Sequence, residues 1–143
     1  MKFDKPLLAV LLSIIGGIPA GIFTQLMVWL HLTSITAPEA TSLMFLKQSS
    51  MTLGILAHIG YSSVLGLVIY YSALILGTDY FPLKSMIISM VAESLLFIIF
   101  VSGSSQSQGV SGNFIHAIAA AIAGLSRGYL IKRFIFNKLL NTD

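Results

Sequence analysis

The sequence predicts an all-α integral membrane protein: a four-helix bundle with both termini cytoplasmic and a short interfacial helix in its first outer loop. Three observations carry that expectation. Of 143 residues, 56% are hydrophobic and only 9% are charged, whereas an ordinary soluble domain has roughly 25% charged residues. Four separate stretches are long and apolar enough to cross a bilayer. Seven of the eight Lys and Arg side chains fall on one side of a chain that crosses four times. Eight basic and five acidic residues cannot cover a soluble surface, which excludes a soluble enzyme, a disordered regulator and a coiled coil. A net charge of +3 is too small for a nucleic-acid surface. The absence of cysteine removes disulfide frameworks, thiolate metal sites and thiol catalysis. The chain reads as one transmembrane domain, residues 1–143.

A hydrocarbon core of about 30 Å takes roughly 20 apolar residues as helix. The first span runs from about Leu7 to Leu32, opened by Pro6, a good first-turn residue. Its apolar run is too long for the core of a signal peptide, and no small-residue cleavage site ends it. The second runs from about Thr52 to Leu76, with Ser49 and Ser50 as candidate caps and Gly77 as the stop. The third runs from about Pro82 to Val101 and the fourth from about Asn113 to Phe136. Isolated strands cannot satisfy their backbone in lipid, and the alternating ten-residue pattern of a membrane barrel is absent. No internal repeat is found.

Four spans place Lys2, Lys5, Lys84, Arg127, Lys132, Arg133 and Lys138 on the side of the termini and Lys47 alone on the other. This bias predicts cytoplasmic termini and outward loops near 33–51 and 102–112. In the first loop, Thr36-Ala37-Pro38-Glu39 fits a capping box ahead of Ala40, Leu43, Met44 and Leu46. A short helix at the outer interface follows, either a connector or a lid. The second loop, Ser102-Gly103-Ser104-Ser105-Gln106-Ser107-Gln108-Gly109, is polar, uncharged and lacks a phosphate-binding lysine. Trp29, Tyr80 and Tyr129 are candidate interfacial anchors.

Helices in lipid associate through small residues at four-residue spacing. Gly17 and Gly21 supply such a stripe on the first helix, Ser62 and Gly66 on the second, and Ala120, Gly124 and Gly128 on the fourth. The stripes serve packing within the chain or an interface with another copy. Pro19 is expected to loosen the first helix. Gln25 is expected to bond across to Ser62 or Ser63.

Glu93 sits midway along the third span, where a carboxylate is costly unless protonated, paired or wet. Arg127 lies inside span four, about five residues nearer the termini than Glu93, roughly 7 Å at the helical rise. Side chains lean toward their own helix N-terminus, so in a hairpin the two lean toward each other. The expectation is an intramembrane Glu93–Arg127 ion pair, against a reading in which Arg127 reaches the headgroups.

His31, His58 and His116 all fall on the outer half. Beside the reading as satisfied interfacial side chains stand two functional ones. His58 and His116 lie at similar depth with small neighbours, which suits a bis-histidine haem b. All three, with Glu39 from the loop, offer a metal or proton site. No Ser–His–Asp set exists, because Asp4, Asp79 and Asp143 lie across the membrane from every histidine.

His31-Leu32-Thr33 followed by Ile35 and Pro38, Tyr70-Tyr71 late in the second span, and the run Gly124 to Tyr129 resemble the four-helix bacterial membrane proteins of the YqhR type. The chain lacks the tryptophan such proteins carry in the third helix. The resemblance implies the topology and a bacterial plasma membrane, and no activity. The expected role is a non-enzymatic, multi-pass component that binds a partner, a lipid or a copy of itself in a membrane complex, without a cofactor and without nucleic acid. The alternative is a haem-binding or ion-conducting subunit that uses the outer histidines and Glu93.

Overall fold

The computed structural model describes residues 4–101 and 109–137; most of the polar Ser102–Gly109 loop lies outside them. These residues are helical: α1 (Lys5–Trp29), α2 (Ala37–Ser42), α3 (Met51–Leu76), α4 (Phe81–Leu96) and α5 (Val110–Ile131). The last turns of the third and fourth spans are wound as π-helix, over Phe97–Val101 and Lys132–Phe136. Among the described residues, four helices are long and apolar enough to cross a membrane: α1, α3, α4 with its π turn, and α5 with its π turn.

Local sequence sets the ends. Pro6 lies in the first turn of α1 and costs it no hydrogen bond there. His31 adopts a left-handed φ of 57°, so α1 stops at Trp29 rather than at Leu32. Pro19 stays inside a helix that runs unbroken past it. The capping box of α2 is complete. Thr36 Oγ1 accepts from the Glu39 amide, and Glu39 Oε2 accepts from the Thr36 amide at 2.8 Å. Ser50 caps α3 and Gly77, with φ 73°, ends it. Lys84 then folds back from α4, its Nζ donating to the Leu76 carbonyl at 2.6 Å and to Gly77 at 3.2 Å.

Helix α5 packs between α1 and α4, and α3 rests on α1. Contact between α3 and α4 is slight. Glycine sets the close approaches. A Cβ on Gly124 would lie 2.5 Å from Met86 Cα, and one on Gly128 would lie 2.7 Å from Pro82 Cα. A Cβ on Gly66 would meet the Ala9 carbonyl at 2.9 Å. The stripes predicted on α3 and α5 are therefore used inside the chain. On α1 the close contacts run through Gly16, Gly17 and Ala20. Gly21 has open space beside it, so the contact expected there is not made. The buried face of α1 follows Ala9, Leu12, Ser13, Gly16, Gly17, Ala20 and Thr24, and Gly21 is turned off that line.

The short helix α2 forms where the capping box predicts it. It is folded into the end of the bundle against α3, with Ala37, Ala40, Thr41 and Ser42 buried. Ile35, Ala40 and Leu43 form an apolar cluster with Leu96 and Val101. The Ala37 amide donates to Thr24 Oγ1 at 3.0 Å, tying this plug to α1. At the opposite end, Ile69, Phe81, Ile131 and Ile135 close the bundle with Leu12, Leu65 and Tyr70.

The surface is greasier than the interior. Leu7, Leu11, Ile15, Ile18, Ile22, Leu26 and Trp29 form an exposed ridge along α1, and Leu83, Ile87, Val91 and Leu95 another along α4. Ser13, Ser62, Ser85, Ser89, His116 and Arg127 are buried. A hydrocarbon surround stabilises that inversion.

Candidate functional site

Arg127, Ser13 and Ser62 meet inside the bundle. Arg127 is 2% exposed. Its Nε donates to the Ser13 carbonyl at 3.2 Å and its Nη2 to Ser62 Oγ at 3.0 Å. Ser13 Oγ in turn donates to the Ser62 carbonyl at 2.7 Å. One guanidinium thus ties α5 to α1 and α3. The glycine pair on α1 makes the room: a Cβ at Gly16 would lie 2.9 Å from the Arg127 backbone, and one at Gly17 would lie 2.9 Å from Nη2. Arg127 does not reach for the headgroups.

The expected direct Glu93–Arg127 ion pair is not made. Glu93 Oε1 instead faces His116 Nδ1 at 3.7 Å, and Glu93 Oε2 accepts from the Tyr61 hydroxyl at 3.3 Å. Depth was not the obstacle. Ser13 and Ser62 stand nearer the guanidinium, and Gly17 lets it turn toward them. Ser62, expected to bond Gln25, is taken by Arg127. Acid and base nonetheless border one cavity, with His58, Tyr61, Ser89 and the alanines 20, 37, 119, 120 and 123. It offers about 10 Å³ to the centre of a water molecule, room for about one.

His116 is 1% exposed. Its Nε2 lies 3.1 Å from the Ile35 carbonyl. A carbonyl only accepts, so Nε2 carries a hydrogen and Nδ1 is the nitrogen turned to Glu93. Phe97, the first residue of the π turn, covers the ring at 4.7 Å between centroids. Glu93 and His116 also line a crevice of about 260 Å³ between α4 and α5, with Ser94, Phe97, Ile98, Asn113 and Ala117. The crevice lies in the half of the bundle that holds α2.

The histidines are not gathered into one site. His31 is exposed on the turn after α1 and lines a shallow polar pocket with Thr33, Ser34, Ser111 and Gly112. Glu39 is engaged in the capping box. Among the described residues no group of three or more side chains is placed to hold a metal ion. A bis-histidine haem does not fit either. His116 Nε2 is committed to Ile35, Phe97 lies against its ring, and the cavity beside His58 is the size of a water rather than a porphyrin slot.

Tyr61, Ser13 and the Ile35 carbonyl were not singled out from sequence. Tyr61 stands three residues after His58, on the same helix face, which is the signal that finds it. The described residues around the site are all-helical, with an apolar exterior, four membrane-length helices and a polar centre. Comparison with family models, curated proteins and solved structures finds no match.

Proposed function

We propose that the chain is a non-enzymatic, multi-pass component of a bacterial plasma membrane that binds one exchangeable proton at Glu93 and His116. The observation that carries this reading is the approach of Glu93 Oε1 to His116 Nδ1, 3.7 Å, while His116 Nε2 is held by the Ile35 carbonyl. With its other nitrogen occupied, the imidazole turns a lone pair toward the carboxyl group unless a proton lies between them. In a membrane interior two lone pairs at that distance repel, so the arrangement suits one shared proton, held as acid and imidazole or as carboxylate and imidazolium.

The crevice between α4 and α5 supports access to this proton from the α2 end. The cluster of Ile69, Phe81, Ile131 and Ile135 supports closure at the other end. The reading is therefore of a one-sided proton site, not a through-channel. The Lys and Arg distribution supports cytoplasmic termini, which puts the crevice on the outer half. The lipid bilayer, further copies of the chain or other subunits of a membrane complex would then cover the exposed apolar ridges.

Infrared spectroscopy of the reconstituted chain tests the reading. Lowering the pH is expected to load one proton per chain, with a carboxyl band that disappears in Glu93→Gln and shifts in His116→Leu. A Glu93→Gln chain that takes up the same proton as its parent overturns it.

A further inference from the structure

The proton site leaves one polar feature unused: the water-sized cavity between His58, Ser89, Arg127 and Glu93. We infer that it binds one small halide ion, taken up together with the proton on Glu93 and His116. The inference rests on the proton reading above.

Three observations carry it. First, the walls hold donors that the chain leaves unused: the Ser89 hydroxyl and the one N–H of a neutral His58 imidazole. Ser89 is 1% exposed and its Oγ has no hydrogen-bond partner. Both ring nitrogens of His58 are buried without one. Buried polar atoms are rarely left so, and all of them border the cavity. Arg127 borders it too and commits Nε and Nη2 elsewhere, which leaves further N–H groups of its five. Second, the remaining wall is alanine and Tyr61, whose hydroxyl is engaged by Glu93. The cavity's size suits an ion no larger than about a water and excludes bulky anions.

Third, while the proton is held, the charges do not balance without an anion. With one proton between them, Glu93 and His116 sum to zero. Arg127 then stands as a lone cation in a low-dielectric interior, which is expensive. Water fills the volume but leaves the charge; a monovalent anion cancels it. Once the proton departs, the Glu93 carboxylate faces the same cavity, neutralises Arg127 and repels a halide. Proton and halide therefore bind as a pair. The other groups facing Glu93 and His116 are Tyr61 and His58 from α3 and Arg127 from α5. Helix α1 presents no titratable side chain there, and Glu39 of α2 is bound to Thr36.

The test titrates the full chain in nanodiscs with sodium fluoride and sodium chloride against a sodium gluconate background. It reads heat and the ring-nitrogen chemical shift of His58. One halide per chain is expected, with fluoride, the smaller ion, the tighter. Its Kd should rise about tenfold per pH unit once the pair loses its proton. Ser89→Ala and His58→Leu, which spare the Arg127 clamp, should each weaken binding at least tenfold. Glu93→Gln, which cannot become a carboxylate, should lack this tenfold loss per pH unit. Heat equal to that of gluconate at all pH values with an unmoved His58 resonance overturns the site, and pH-independent binding by the parent overturns the coupling. The two readings fail separately. A chain that loads the Glu93 proton in gluconate but binds no halide sinks this inference alone. Halide binding to Glu93→Gln by a chain whose parent loads no proton sinks the proton reading alone.

Discussion

The seam between α4 and α5 and the flank of α3 beside Met44 both present glycine to a neighbour, with opposite results. On the seam, Gly124 and Gly128 let α5 settle onto Met86, Ser85 and Pro82 until backbones nearly touch. On the flank, Gly60 has nothing within 4 Å of a notional Cβ. There a groove of about 680 Å³ runs between α3 and the residues after α2, lined by Met44, Phe45, Leu53, Leu56, Ala57, Gly60, Tyr61 and Val64. The difference is what stands opposite. Serines and a proline on α4 offer short side chains that close the gap, whereas Met44 and Phe45 hold it open. Glycine permits close packing in lipid, but the facing residues decide whether it happens.

Substitutions can break this contrast. Gly124→Leu should cost most, at least about 3 kcal/mol, because the new side chain meets backbone that cannot yield. Thermal unfolding in detergent should show it as loss of a folded state or a large drop in Tm. Arg127→Met should come next. It removes two charge-assisted hydrogen bonds that join three helices, a loss of about 2 kcal/mol. Thr36→Ala removes the capping-box hydroxyl and should cost about 1 kcal/mol, seen as faster hydrogen exchange over α2. Gly60→Ala and Gly21→Ala should move Tm least, within about 0.5 kcal/mol either way. A Gly60→Ala chain destabilised as much as Gly124→Ala would erase the distinction.

Much of the architecture was legible from local chemistry. The capping box, the Gly77 stop and the four apolar spans rest on residues close in sequence, and those features appear within a few residues of where they were expected. The π turns were not legible, because Phe97–Val101 and Lys132–Phe136 have no composition that separates them from α-helix. The polar centre was half legible. Glu93, Arg127, His58 and His116 all border it or its neighbouring crevice, since a bilayer leaves charged side chains nowhere else to go. Their pairing was not legible. It depends on rotation of each helix about its axis, and Gly16–Gly17 sets that rotation by admitting Arg127 toward Ser13 and Ser62. The burial of α2 likewise follows from a contact distant in sequence, its fit against Gly54, where a Cβ would lie 2.7 Å from the Pro38 carbonyl carbon.

The greasy ridge of α1 has a use in the laboratory. Leu7, Leu11, Ile15, Ile18, Ile22 and Leu26 are exposed, on the side of α1 away from its buried face. A recoded version carrying glutamine and glutamate at such coat positions on all four long helices keeps every serine, glycine and guanidinium contact intact. Such a version would bring the same polar nucleus into plain buffer, where its protons and ions can be counted without detergent.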